Sequence, residues 1–352
     1  MLLRKSIYLF SIVVLSCNSP KDKQEPKIEN QPYPDKEWST TNLNYSEKVE
    51  KRMDSLAHVF DKKFSLLIIK NGSVIFERYQ APYLKDTLIH VNSCTKSVIS
   101  ILFGMVFKND LTRHENKSSL SYFPLYPLND SSLKKIKNKH FLSMSSGLDW
   151  KGGIDATDVI AMSESDDWAR YVFERKVIHE PHVAYRYNSG GTQVISTILH
   201  SQASDGLEKF AVDSLFSPLN IESYFWDKTL NGVPKAGWGL HLKIPDLAKL
   251  GYLLLRNGKW KEKQLIPKYW VEQSTTSKIN ISDTWDYGYQ FWIPHRAPYK
   301  SYLFRGYYPP SHKIIEVIPE LDIVAVYVGE NSNFKEVIKS HIEILKEEGT
   351  QG

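Results

Sequence analysis

Cysteine is scarce in this chain, with two among 352 residues, too few for a disulfide framework. Net charge is scarce as well. The 45 lysines and arginines exceed the 40 aspartates and glutamates by +5, which argues against a nucleic-acid partner. Long apolar runs are missing: the N-terminal one, Ile7 to Leu15, is too short to span a bilayer as a mature helix. Several catalytic signatures are absent too. There is no Gly-x-Ser-x-Gly elbow, no His-Glu-x-x-His and no Gly-x-x-x-x-Gly-Lys-Ser/Thr loop. His179-Glu180-Pro181-His182 suggests metal ligands, but the proline breaks regular spacing and no further ligand is evident, so it reads as a turn. No metal or organic cofactor is implied.

What is present is ordinary for a globular protein, with 41% hydrophobic and 24% charged residues. The N-terminus is distinctive. Arg4 and Lys5 precede the apolar run, which closes in Val14-Leu15-Ser16-Cys17, a sequence similar to a bacterial lipobox. Residues 1–17 are therefore expected to be a lipoprotein signal peptide, with Cys17 the lipidated residue. The chain would be exported to a bacterial cell envelope and held at the membrane, periplasmic or outer-membrane associated. Residues 18–40, rich in Lys, Glu, Pro and Gln, are expected to form a flexible tether. Residues 41–348 would form the folded domain, and Cys94 would be a free thiol.

Within the domain, residues 45–59 have a helical pattern. Two strands, Phe64 to Lys70 and Ser73 to Tyr79, flank Asn71-Gly72, a strong hairpin signal. A buried helix is expected after Ser93, and Pro245 to Leu255 reads as an amphipathic helix closed by Asn257-Gly258. A second hairpin joins Lys313–Ile318 to Ile323–Val328, and a terminal helix from Phe334 to Lys346 has apolar positions 334, 337, 338, 342 and 345. Strands at both chain ends around a helical middle predict an α/β (α+β) fold. One antiparallel sheet would be assembled from the two ends and flanked by helices. A mostly helical inserted lobe would lie beside it, with an active site in the cleft between them.

The chemistry is expected at Ser93-x-x-Lys96. Ser131, Ser132 and Ser332 also have lysine three residues on, but only Ser93 heads a buried apolar helix. Residues i and i+3 share a helix face, so Lys96 reaches the Ser93 hydroxyl. Burial and the positive helix end both disfavour its ammonium form. A neutral amine can take the serine proton and make Ser93 a nucleophile. The free N–H of Ser93 can bind an oxyanion. Cys94 points about 100° around the helix and should be packing.

With these residues in place, the chain resembles the serine β-lactamase and penicillin-recognising superfamily, in its class C-like branch of esterases, D-amino-acid peptidases and nylon-oligomer hydrolases. Ser93-Cys-Thr-Lys96 matches the first motif, and Phe141-Leu-Ser-Met-Ser-Ser-Gly-Leu-Asp-Trp150 is similar to a family segment, LLTMTSGLDW. Tyr187-Asn188-Ser189 resembles the second motif, Tyr-x-Asn, with serine in place of asparagine; a register beginning at Tyr185 is the alternative. Trp238-Gly-Leu-His-Leu, Pro245 to Gly251 and Pro319-Glu-Leu-Asp322 continue the likeness in order, over roughly residues 45 to 345. The resemblance implies that Tyr187 is the proton-transferring phenol and that Ser189 faces the substrate. For the third motif, Phe304-Arg305-Gly306 stands where the family has Lys-Thr-Gly or a relaxed His/Trp-x-Gly. Gly306 would admit the substrate and the Tyr307 N–H would be the second oxyanion donor. Arg305 would substitute for the missing lysine, unless strand alternation turns it to the other face. The implied activity is hydrolysis of a small ester or amide through an acyl-enzyme on Ser93. The alternatives are a β-lactamase or peptidoglycan D,D-peptidase, and a non-catalytic surface-binding lipoprotein.

Overall fold

The computed structural model describes residues 33–40, 51–52, 55–56, 63–127, 130–152, 155–295, 299–330 and 332–349. Cys17, the expected signal peptide and most of the expected helix at 45–59 lie outside them. Strands β1 (Phe64–Lys70) and β2 (Ser73–Arg78) meet at Asn71-Gly72. Both turn residues have positive φ, 49° and 79°, as a two-residue hairpin with right-handed strand twist requires. Short strand β3 (Ile89–His90) leads into helix α1 (Cys94–Val106), and helix α2 (Ser189–Gln202) follows after the loop-rich middle of the chain. Strands β4 (Phe225–Trp226) and β5 (Leu240–Leu242) join β3 in a small sheet of order β3-β5-β4.

Helix α3 (Ile244–Leu255) then packs on the main sheet, which six later strands complete. These are β6 (Ile279–Ser282), β7 (Trp285–Tyr287), β8 (Trp292–Pro294), β9 (Tyr302–Tyr308), β10 (Ser311–Ile318) and β11 (Ile323–Gly329). The order is β2-β1-β11-β10-β9-β8-β7-β6, antiparallel throughout. The sheet does join the two chain ends: Phe64 pairs with Gly329 and Lys70 with Ile323. The middle of the chain is less purely helical than the sequence pattern predicts, because β6, β7 and β8 extend the same sheet. They are three or four residues long and carry no sustained alternation.

Burial follows the strand period. Phe64, Leu66 and Ile68 face Phe334, Val337, Ile338 and Ile342 of the terminal helix α4 (Phe334–Gly349). Leu67 and Ile69 face the other way, into the larger core that holds α1, α2 and α3. Covered on both faces, β1 is almost continuously apolar rather than alternating.

The N-terminal boundary differs from the expected tether. Trp38 is buried, donates its indole N–H to the Pro245 carbonyl at 3.0 Å and packs edge-on against Tyr252. Tyr33 packs on Tyr252 and Trp260, and Val74 donates its N–H to Ser39. Two aromatic anchors in an otherwise polar stretch are enough to dock residues 33–40 on the domain.

Candidate active site

Ser93 sits at a sharp turn between β3 and α1. Asn92 before it adopts a left-handed conformation, φ 52°, which Asn tolerates better than other non-glycine residues. Cys94 donates its N–H to the Val91 carbonyl and Thr95 to that of Asn92, which starts the helix. Lys96, one turn on, brings Nζ to 3.0 Å from Ser93 Oγ. The same amine donates to the Gly237 carbonyl at 2.6 Å, and Ser93 Oγ lies 3.3 Å from that oxygen. Lys96 is 1% exposed. Burial lowers its pKa from 10.5 to about 7, because an ammonium without water loses its solvation. Cys94 turns away, is buried, and donates its thiol to the Lys313 carbonyl at 3.3 Å. Burial pushes that thiol up to about 12, so it stays protonated packing.

Tyr187 precedes α2. Asn188 caps this helix by accepting the Gly191 N–H at 2.8 Å. The cap sits tightly on the Phe141–Trp150 segment. A Cβ at Gly190 would lie 2.5 Å from Trp150, and one at Gly191 2.5 Å from Phe141. That segment is the buttress which sets the height of Tyr187. The Tyr187 side chain lies beside Ser93, which lowers its pKa, and Lys96 Nζ lies 4.9 Å from its ring centroid. Burial raises its pKa to about 12, opposed by the Ser93 contact and by Arg305. Tyr185 takes a different place. It packs on Tyr287 and Trp292, and its buried hydroxyl has no partner among the described residues. Of the two registers, the structure brings Tyr187 to Ser93. Ser189 is buried across Gly237 from Lys96: a Cβ on Gly237 would lie 2.9 Å from Ser189 Cβ and 3.5 Å from Lys96 Nζ.

Gly306 lies against the serine turn. A Cβ there would be 2.3 Å from the Val91 carbonyl oxygen and 3.2 Å from Ser93 N, so only glycine lets β9 come this close. Beyond Leu303, which pairs with Trp292, β8 leaves β9 unpaired on that side. The Tyr307 side chain is half exposed and stacks on His312 at 4.4 Å.

Arg305 does not take the place expected of it. Strand alternation sends its side chain to the face opposite Gly306. There the guanidinium sits over the rings of Trp292 (4.9 Å), Trp285 (5.5 Å) and Phe334 (5.6 Å). It acts on Tyr187 only as a nearby positive charge, and itself loses solvation by burial.

Two contributors escaped the sequence reading. The Gly237 carbonyl is a backbone atom, so no residue type advertises it. Gln290 braces the site: its carbonyl accepts from Ser97 of α1, its side-chain oxygen from Thr192 of α2, and its amide donates to Phe141 and Leu142. Among the described residues no group of three His, Cys, Asp or Glu could hold a metal ion. His179 and His182 are exposed. No helix of the described residues is long and apolar enough to cross a membrane.

A family model described as Beta-lactamase matches residues 56–337. No curated protein matches the chain by sequence. Solved structures do match. One is a Bacillus anthracis protein provisionally assigned as a 6-aminohexanoate-dimer hydrolase, with TM-score 0.66 and 17% identity over 84% of this chain and 82% of that one. The D-amino acid amidase of Ochrobactrum anthropi SV3 matches with TM-score 0.66 and 16% identity over 86% and 99%. A class C beta-lactamase matches with TM-score 0.64 and 14% identity over 87% and 98%. At these identities the likeness is one of fold.

Proposed function

The chain belongs to the beta-lactamase family and is a serine hydrolase of it, and from that premise we propose that it cleaves a small ester or amide through an acyl-enzyme on Ser93. The observation that carries this reading is the buried Lys96 amine, 3.0 Å from Ser93 Oγ and with a pKa of about 7. At neutral pH a substantial fraction of Lys96 is uncharged and holds a lone pair. Ser93 Oγ attacks the substrate carbonyl while its proton passes to Lys96. The oxyanion is held by the N–H groups of Ser93 and Tyr307. The bond to the leaving group breaks as the Tyr187 phenol protonates it, and Lys96 returns a proton to Tyr187. Water then attacks the ester by the reverse sequence and frees Ser93. With Tyr187 near 12 and Lys96 near 7, the amine is the resting base and the phenol the resting acid.

The named amidase and 6-aminohexanoate-dimer hydrolase among the matches support amides, including D-aminoacyl amides, as the first compounds to try. Arg305 points away from the serine turn, so it offers no direct contact to a β-lactam carboxylate, and nitrocefin turnover is expected to be absent. The proposal extends to export and lipidation at Cys17, for which metabolic labelling with palmitate and its loss in Cys17→Ser is the check. The central test is a fluorophosphonate probe, followed by p-nitrophenyl esters and D-aminoacyl amides. Wild type should be labelled and Ser93→Ala should not. Absence of labelling in wild type, or equal labelling of Ser93→Ala, overturns the reading in favour of a binding role.

A further inference from the structure

The turn that presents Ser93 is held by a group with no part in the chemistry above. His90 ends β3, three residues before Ser93. Its Nδ1 lies 3.3 Å from the Asn92 N–H, the backbone group of the left-handed residue directly before the serine. Nδ1 can accept this bond only when it carries no proton, so the bound ring is the neutral tautomer with hydrogen on Nε2. Directly across the β3–β5 pair stands His241, ring centroids 4.6 Å apart and nearly perpendicular. His241 Nδ1 lies 3.2 Å from the Gly239 carbonyl, an acceptor, so that nitrogen carries hydrogen. The β3–β5 pair thus reaches both walls of the site: His90 the serine turn, and His241 the strand entry two residues after Gly237.

We propose that His90 is a positioning residue for Ser93, its neutral ring pinning the Asn92 N–H and its protonation releasing the turn that aims the nucleophile. Protonation replaces the acceptor lone pair with an N–H directed at another N–H, which turns an attraction into a repulsion. The Asn92 carbonyl is held from the helix side by the N–H and the hydroxyl of Thr95, while His90 holds its N–H. The Asn92 side-chain Oδ1 is buried without a partner among the described residues. The charged and titratable groups facing His90 are His241 from β5, Lys313 from β10 and Asp227 just beyond β4. Burial opposes a positive ring most, and His241 and Lys313 add to it; the Asn92 side chain and Asp227 favour one but are outweighed, so His90 titrates below its ordinary 6.5. The direction is therefore a loss of function in acid, below the loss that Lys96 causes when it is protonated.

This inference rests on the Ser93 reading, and the experiment separates the two. The second-order rate of fluorophosphonate labelling is measured from pH 4.5 to 9 for wild type, Ser93→Ala, His90→Asn, His90→Phe and His241→Phe, with thermal melting alongside. In wild type the acid limb should begin with a slope of one as Lys96 protonates and steepen to a slope of two at lower pH, as His90 protonates after it. His90→Asn places a non-titrating oxygen near Nδ1, so its limb should keep a slope of one. His90→Phe keeps an aromatic partner for His241 but offers no acceptor. It should label about tenfold more slowly than His90→Asn at pH 8, the range of one lost positioning hydrogen bond. His241→Phe should keep the slope of two. A slope of one in wild type, or of two in His90→Asn, overturns the proposal while leaving Ser93 as nucleophile. A slope of one in His241→Phe alone assigns the device to His241 and overturns it equally. Equal labelling of Ser93→Ala removes both readings together. Should His90→Phe fail to fold, the comparison of wild type with His90→Asn still decides.

Discussion

An amine as buried as Lys96 costs folding free energy wherever it must carry charge. Its folded pKa of about 7 lies below the ordinary 10.5. Between those values the unfolded chain holds a proton that the folded one does not, so stability rises with pH from 7 to 10.5. Below pH 7 the full penalty is present, roughly 5 kcal/mol at 1.36 kcal/mol per unit. Lys96→Met should therefore be inactive yet melt several degrees above wild type at pH 6, less whatever the loss of the amine from the Gly237 carbonyl costs. The advantage should shrink toward pH 10. Calorimetry at pH 6 and pH 9.5 checks this, and wild-type kcat/KM should rise through about pH 7. The tyrosines give a second contrast. Tyr187→Phe removes the hydroxyl that meets Ser93 and should lower kcat/KM by about 10²–10⁴. Tyr185→Phe removes a buried hydroxyl without a partner among the described residues, and should leave activity within about tenfold and stability unchanged or higher.

At the scale of elements, the approach of β9 to the serine turn is set by Gly306. In Gly306→Ala the new methyl meets the Val91 carbonyl, a backbone atom that can move only with the turn itself. Oxyanion geometry should suffer more than folding: kcat is expected to fall by about 10²–10³ with a melting shift of a few degrees, read from steady-state kinetics and thermal melting. The same strand shows what a sequence can and cannot carry. Ser93 and Lys96 were legible because helix periodicity alone brings i and i+3 together. The two hairpins were legible because Asn71-Gly72 and the Pro319–Asp322 turn punctuate long apolar strands. Arg305 was only half legible: alternation allowed it either face, and the seating of Gly306 against the serine turn decides that it takes the opposite one. Strands β6 to β8 were missed because they are short and gain their order from the sheet edge they extend. Gly237 and the His90–His241 pair depend on contacts between segments about 140 to 150 residues apart, which no local pattern encodes.

At the scale of the whole molecule, β11 is the strand on which everything rests, since it lies between β1 and β10 and is buried along its length. A chain ending at Pro319 would lose β11 and α4 together and leave β1 and β10 facing an empty place in the sheet. Such a chain should show no cooperative melting and should be cut throughout by dilute protease under conditions in which the full chain survives. Intact near-ultraviolet dichroism in that truncated chain would contradict the account. During synthesis, β1 leaves the ribosome roughly 260 residues ahead of its partner, an interval on the order of 13–50 s at about 5–20 residues per second. For that time the apolar stretch Phe64 to Ile69 has no neighbour on its β11 side, and a chaperone or a translocation channel that handles unfolded polypeptide can engage the chain before the sheet closes.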